Sequence, residues 1–467
     1  MNYNKDENEE DNLSLDRFES MLKTNKVLFF DSEEFENIIL HYLDSGKLTM
    51  AKKALQLGLE QHPNSVGLKL VEVEILIFQN KLEKAERLLN EIEAIEPEND
   101  EIYVQKASIQ SKKGFHTEAI DSLKKALELT EDVADIYSLL GMEYLFIDEI
   151  EQARENFILC LENDEEDQSA LYNVTYCYDF LGENNEAIDF LTSFIDRNPY
   201  SEIAWHQLGR QYLMLKNYEK AEWAFNYAIL IDDQFLGAYL EKGKVLEKLG
   251  KYDDAIANYL ITLELDDPTS YVLVRIGACY ESLGKMELAI QYYKRAVHED
   301  PMLDKGWVAL ANVYLKENNA EKAIFALQKA LAIDEMNASY WIFYALVNKS
   351  ILRFDETVKG YEKAAELEDV VLAYWLDWAD VLYLLGEYDQ AIAKLKEYLT
   401  INPEDAAALF RIAAIHFVKG DTIEGRTYLV FGLKCDAEQI SVLKNLYASV
   451  WEDNLVQTII KDFYTER

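Results

Sequence analysis

Cysteine is scarce in this chain of 467 residues: Cys160, Cys177, Cys279 and Cys435 stand alone, with no CxxC or CxxxC spacing. A disulfide framework or a zinc site is therefore not expected, and reduced thiols buried as small apolar groups are. The six histidines are equally scattered, without HExxH or HxxxH, so neither a metal nor another cofactor is expected. No apolar run reaches the length of about 18 residues needed to span a bilayer. Positive charge is short as well: 46 Lys and Arg face 86 Asp and Glu, a formal net of −40. Such a chain repels phosphate backbones and anionic lipid at long range, which makes nucleic acid and membrane surfaces poor partners. The opening MNYNKDENEEDN has no basic or apolar export segment, so a cytoplasmic protein is the expectation.

What is present is repetition. The stretch WHQLGRQYLMLKNYEKAEWAF, from Trp205 to Phe225, returns 34 residues later as YLEKGKVLEKLGKYDDAIANY. The same step gives windows starting at 32, 66, 100, 134, 168, 202, 236, 270, 304, 338, 372 and 406, with no insertion between them. Position 20 of the window is Ala in ten of the twelve, Thr357 and Gly425 being the exceptions. Position 24 is always large, from Leu55 through Phe157, Phe225 and Tyr259 to Leu429, and position 8 is Gly or Ala in nine windows. Five of the six prolines (Pro63, Pro97, Pro199, Pro301 and Pro403) fall at position 32, and Pro268 falls one later.

Each regularity has a physical reason. Within a window, apolar residues recur at helical spacing over two stretches, split by turn signals such as Gly114, Gly182, Gly250, Gly284, Gly386 and Gly420. That pattern predicts a helical hairpin. Small residues at positions 8 and 20 let two helix backbones approach, while the side chain at position 24 fills the space between them. Proline at position 32 ends the second helix. A hairpin of this kind cannot bury its apolar face alone, so stacked neighbours supply the core.

On these residues the chain resembles the tetratricopeptide repeat (TPR) family, whose 34-residue pattern is W-x2-L-G-x2-Y, then A-x3-F, then P. Trp205, Leu208, Gly209, Tyr212, Ala221 and Phe225 match it one for one. The resemblance covers residues 32 to about 439. It implies an all-α fold, a right-handed superhelix of twelve helix-turn-helix repeats, whose first helices line a concave groove that holds a partner segment. Ile39 and Val73, where a small residue belongs, imply looser helix packing in the first two windows.

Outside the repeats, residues 1–12 are expected to be a disordered acidic tail. Residues 13–31, with LDRFESMLK and NKVLFF, are expected to cap the first repeat. Residues 440–467 read as two C-terminal capping helices, and the flanks are too short for a separate catalytic domain by ordinary domain sizes. Inside the repeats, GKVLEKLGK at Gly243 and GACYESLGK at Gly277 fail as phosphate loops, because six residues separate the glycines and no Ser or Thr follows the Lys. Asp377 and Asp380 share a helix face but lack a third group for acid–base work. Cys160, Cys177, Cys279, His41 and His416 fall at interface positions and read as core. Trp375 and Trp378 read as packing residues. The chain is therefore expected not to be an enzyme.

The family geometry places positions 2, 5, 6, 9, 12 and 13 on the concave face. Windows 4 and 5 put Met142, Phe146, Tyr172, Tyr176 and Phe180 there, and window 6 puts His206 there. Windows 6 to 9 put Arg210, Lys244, Lys248, Arg275, Lys305 and Lys316 there, and windows 10 to 12 return to apolar residues: Ile342, Phe343, Leu346, Tyr383, Phe410 and Phe417. A basic stretch in so acidic a chain predicts recognition of an acidic partner segment, with the flanking rings as anchors. The plain alternative is that these cations are solvated and pair with Glu241, Glu247 and Glu281. The chaperone-tail clamp of Lys at position 5 with Asn at position 9 occurs in no window. The reading is a non-enzymatic scaffold or adaptor that binds one or more proteins or peptides in the groove. The alternative is a sensor of a small molecule or signalling peptide that uses the same groove. The sequence is silent on homo-oligomers.

Overall fold

The repeat register sets where helices begin. The computed structural model describes residues 14–23, 28–265, 269–367 and 374–465; the tail at 1–12 and Pro268 lie outside them. Helical hairpins follow the windows almost residue for residue, in two compact units, residues 1–235 and 236–467. In the first unit the leading helices are Ser32–Asp44, Val66–Phe78, Asp100–Lys112, Ala134–Phe146, Gln168–Leu181 and Glu202–Met214. In the second they are Leu236–Lys248, Ser270–Ser282, Asp304–Lys316, Ala338–Ser350, Trp375–Leu384 and Ala406–Lys419. Each is followed by a second helix, from Leu48–Gln61 in the first window to Thr422–Asp436 in the last. Eleven of the leading helices thus start at position 1 of their window, and the start is chemically marked. The position before it holds Ser65, Asn99, Asp167, Ser201, Thr269 and Asp405, whose side chains accept a backbone N–H of the first turn. Each such cap stabilises its helix by about 1 kcal/mol.

Position 15 makes the turn. All twelve residues there have positive φ: Gly46, Gly114, Gly182, Gly250, Gly284, Gly386 and Gly420, and also Asn80, Asp148, Lys216, Asn318 and Leu352. Glycine occupies that region freely, and Asn and Asp tolerate it. Lys216 and Leu352, at φ 58° and 60°, carry the strain of a Cβ in the left-handed region. The geometry of the hairpin overrides the residue.

Packing between the two helices obeys a rule of compensation. The ten alanines at position 20, from Ala51 to Ala391, are fully buried. Where position 24 is an aromatic ring, position 8 is Gly in four windows: Gly141 with Phe157, Gly209 with Phe225, Gly243 with Tyr259, Gly277 with Tyr293. A Cβ on any of these glycines would come within 2.6 Å of the ring. Where position 24 is Leu, position 8 enlarges to Ala, Thr, Val or Ile. Ile39 and Val73 therefore mark no loosening: both are fully buried, in clusters with Leu55 and Leu89 respectively. Window 10 is the one that joins Ala345 to a ring, Tyr361, and there Gly360 takes up the strain, since a Cβ on it would lie 2.9 Å from Ala345. The volume is conserved rather than the residue.

Position 4 links one window to the next. Trp205, Trp307 and Trp341 donate their indole N–H to the backbone carbonyls of Pro199, Pro301 and Glu335, at 3.0, 3.1 and 2.8 Å. The Tyr103 hydroxyl does the same to Pro97 at 2.9 Å. Each acceptor is position 32 of the preceding window, so the aromatic residue satisfies a carbonyl freed where the second helix ends.

The ends are covered by chain from outside the windows. A helix over residues 14–23 places Phe18 and Met21, together with Phe30, in the core of Phe35, Ile38, Ile39 and Tyr42. After Thr422–Asp436, the expected pair of helices is broken into more pieces: a 3-10 turn Ala437–Ile440 and helices Ser441–Leu446, Ala448–Trp451 and Asn454–Thr465. His41, expected in the core, is exposed. It lies one residue before the buried Tyr42, on the solvent side of its helix.

Candidate functional site

Leading helices of successive windows contact one another, as Ser32–Asp44 does Val66–Phe78 and Gln168–Leu181 does Glu202–Met214. Side-chain bonds between residues about one window apart tie them into an inner wall: Gln211 to Asp179 at 2.7 Å, Lys316 to Glu281 at 2.7 Å, Arg411 to Asp380 at 2.9 Å. Position 13 of these helices is exposed in every window, and position 9 is exposed in several, Leu40, Met142, Tyr176 and Leu346 among them.

In the first unit those positions carry rings. Phe146, Tyr176 and Phe180 are 58%, 50% and 62% exposed, and Met142, Tyr172 and Met214 are also exposed. Tyr176 and Phe180 lie 6.3 Å apart, and Phe146 stacks on His116 at 4.8 Å. Aromatic and Met side chains held in water on an ordered surface are a standing gain for any apolar partner. His206, expected to face the groove, does not: it is buried between Phe225 at 5.6 Å and Phe235 at 5.0 Å. Arg210 is half-buried, donates to Gln207 at 3.1 Å and lies 3.7 Å from Asp179.

In the second unit the cations are answered locally. Lys244 pairs with Glu241 at 2.7 Å, and Lys316 with Glu281 at 2.7 Å. Arg275 grips Glu247 with two bonds, Nε at 2.9 Å and Nη2 at 2.8 Å. Glu247 and Glu281 also accept the hydroxyls of Tyr259 and Tyr293, at 2.6 and 2.8 Å. Burial, with those carboxylates as acceptors, pushes both phenols far up. Four of the six cations expected on the inner face, Arg210, Lys244, Arg275 and Lys316, thus lie beside a carboxylate. The three glutamates foreseen as alternative partners hold three of the cations, and Lys248 and Lys305 stand exposed.

The apolar face expected in windows 10 to 12 is largely taken by the chain itself. Tyr447, 1% exposed, lays its ring 4.7 Å from Tyr383 and donates its hydroxyl to Asp380 at 2.9 Å. Asp380 in turn holds Arg411 through two bonds of 2.9 Å. Phe410 is fully buried, Phe343 and Tyr383 are half-buried, and Leu346 remains exposed. Asp377 pairs with Lys349 at 2.7 Å, so both aspartates of the candidate acid–base pair are structural. The thiols are equally inert: burial raises Cys160 and Cys279 to about 12 and Cys177 to about 11. Among the described residues no three His, Cys, Asp or Glu are grouped to hold a metal, and no helix is long and apolar enough to cross a membrane.

One group escaped sequence reasoning. Glu36, Asp44, Glu74 and Glu101 occupy positions 5, 13, 9 and 2 of the first three windows, beside exposed Leu40 and Phe78. Surrounding protein raises the proton affinity of Glu36, Glu74 and Glu101. Asp44 adds to it at Glu74, and Glu74 and Asp100 add to it at Glu101. The same window register that picked out the cations would have found these acids.

This geometry defines a class, the all-helical tandem-repeat solenoid with an inner wall of leading helices. Models of the tetratricopeptide repeat match residues 42–108, 100–133, 134–167, 169–201, 240–302, 282–347 and 372–415. The chain belongs to the tetratricopeptide repeat family. Among its relatives, the DnaJ homolog subfamily C member 7 homolog of Schizosaccharomyces pombe is 24% identical over 198 residues, 42% of this chain and 37% of that protein. Anaphase-promoting complex subunit 3 of the same yeast is 26% identical over 141 residues, 30% of this chain and 21% of that one. The chain thus spans 37% or less of the length of these two relatives. Among solved structures, a tetratricopeptide repeat protein from Parabacteroides merdae aligns at a TM-score of 0.39 and 19% identity, covering 53% of this chain and 98% of that one. The Cut9–Hcn1 hetero-tetramer of APC/C aligns at 0.37 and 16%, covering 82% and 90%.

Proposed function

We propose that the chain is a non-enzymatic scaffold or adaptor that holds a segment of a partner protein against its inner wall. The observation that carries this reading is the run of exposed rings Phe146, Tyr176 and Phe180 on the first unit. Each is at least half open to water on helices whose other faces are well buried. Exposed aromatics on a rigid surface make anchors for a partner at small entropic cost. The titratable candidates have structural partners or raised thiol pKa values, which supports a binding role over a chemical one. An acidic occupant of the second unit would meet Lys248 and Lys305 directly and compete with Glu241, Glu247 and Glu281 for the other cations. Capture from native extract on wild type and on a Phe146→Ser, Tyr176→Ser, Phe180→Ser variant tests the reading. The expected outcome is a protein kept by the first and lost by the second while circular dichroism stays helical. Identical retention on both rejects the rings as the binding surface.

A further inference from the structure

Charge is unevenly spread along the first unit. Residues 126–215 contain no lysine and three arginines against twenty Asp and Glu. All three arginines are engaged, Arg154 with Glu183, Arg197 with Glu165 and Arg210 with Asp179. This is the stretch that carries the exposed rings. On the leading helices of the first three windows, the carboxylates Glu36, Asp44, Glu74 and Glu101 have, among the described residues, no cation at ion-pair distance. Lys112 lines the same cleft as Asp44, Glu74 and Phe78, but its ammonium donates to the Ile77 carbonyl at 3.3 Å rather than to either carboxylate. Like charges held together without a counter-charge cost the free protein electrostatic energy, and an arriving cation relieves it. Burial is the chief cause of the raised proton affinities of Glu36, Glu74 and Glu101, and repulsion from Asp44 adds to it at Glu74 and from Glu74 and Asp100 at Glu101.

We infer that the inner face of the first unit is a receptor for a basic protein segment, one that carries Lys or Arg together with apolar or aromatic anchors. The cations sit over Glu36, Asp44, Glu74 and Glu101, and the anchors sit on Phe146, Tyr176 and Phe180. This rests on the reading that the inner wall holds a partner segment, and it fixes the sign of that partner's charge. An acidic segment, or a nucleic acid, adds its own charge to a field that is already negative. Arginine gains further here, because its guanidinium stacks on exposed rings as well as pairing with carboxylates.

A displayed library of random 15-residue peptides, selected on the full chain at low salt and counter-selected on the Phe146→Ser, Tyr176→Ser, Phe180→Ser variant, decides it. The expected result is a ring-dependent set rich in Lys and Arg beside apolar residues. A synthetic member of the set should lose affinity about tenfold between 50 and 300 mM salt, and comparably on a Glu36→Gln, Glu74→Gln, Glu101→Gln variant that remains helical. Ring-dependent peptides of neutral or acidic composition overturn the basic-segment inference and leave the scaffold reading standing. Selection that yields no ring-dependent peptide overturns both. Peptides that are basic but indifferent to both salt and the glutamine variant also overturn the inference, because the carboxylates then do not recognise them.

Discussion

The first unit has 21 Lys and Arg against 49 Asp and Glu, the second 25 against 37, although each contains six copies of one hairpin. Their inner walls differ in kind. The first leaves rings in water and carboxylates without cations; the second pairs three of the five cations expected on its inner wall with its own glutamates and covers its last windows with Tyr447 and the residues around it. The packing positions show no such divergence. Position 20 is small, position 15 turns left-handed and positions 8 and 24 trade volume in both units alike. The contrast separates what the fold demands from what it leaves free. A core position answers to its neighbours within the hairpin, whereas an inner-wall position answers to whatever lies against it.

The largest expected effect tests the covered end of the second unit. Arg411→Ala leaves the Asp380 carboxyl nearly enclosed, with the Tyr447 hydroxyl as its one remaining hydrogen-bond partner among the described residues. Breaking a buried pair from one side costs about 3–5 kcal/mol. Chemical denaturation should register that loss, and hydrogen exchange should localise it to residues around Tyr447 and the last two windows. A loss below about 1 kcal/mol would mean that the pair is as weak as an exposed one. The next test asks whether the two units share one packing rule. Gly209→Ala in the first and Gly243→Ala in the second should each destabilise by about 1–3 kcal/mol through overpacking. Adding Phe225→Leu to the former, or Tyr259→Leu to the latter, should recover most of the loss by recreating the Ala–Leu pairing of other windows. Strictly additive costs would break the rule. The smallest effect has the opposite sign. Lys216→Gly in the first unit and Leu352→Gly in the second should each stabilise by up to about 1 kcal/mol, because relief of left-handed strain exceeds the chain entropy glycine adds. Unchanged or lower midpoints would show that the strain is absorbed elsewhere.

Much of the fold was legible because its signals are local and repeated. Twelve copies make position 20 conspicuous in a single sequence, and the windows then give the helix starts. Lys216 and Leu352 could not be read as turn residues, since neither type favours positive φ; only their place in the register assigns them. Ile39 and Val73 misled because position 8 was read alone, without the leucine opposite. The site was less legible for a different reason. Whether a cation is free depends on which carboxylate reaches it, and Glu247 meets Arg275 across 28 residues and two helices. His206 follows the register of a groove residue but turns into the space between two phenylalanine rings. The occupation of windows 11 and 12 by Tyr447 joins residues 67 apart, outside the repeat period altogether.

The pairing of positions 8 and 24 also bears on how such a gene can change length. Recombination that joins two copies within the turn at position 15 would bring a glycine from one opposite a leucine from another, or an alanine opposite a ring, and leave a hole or a clash. A crossover in the loop after position 31 transfers both members together. Exchange at those junctions lets the array grow or shrink by whole units while every hairpin keeps the partner it was fitted to.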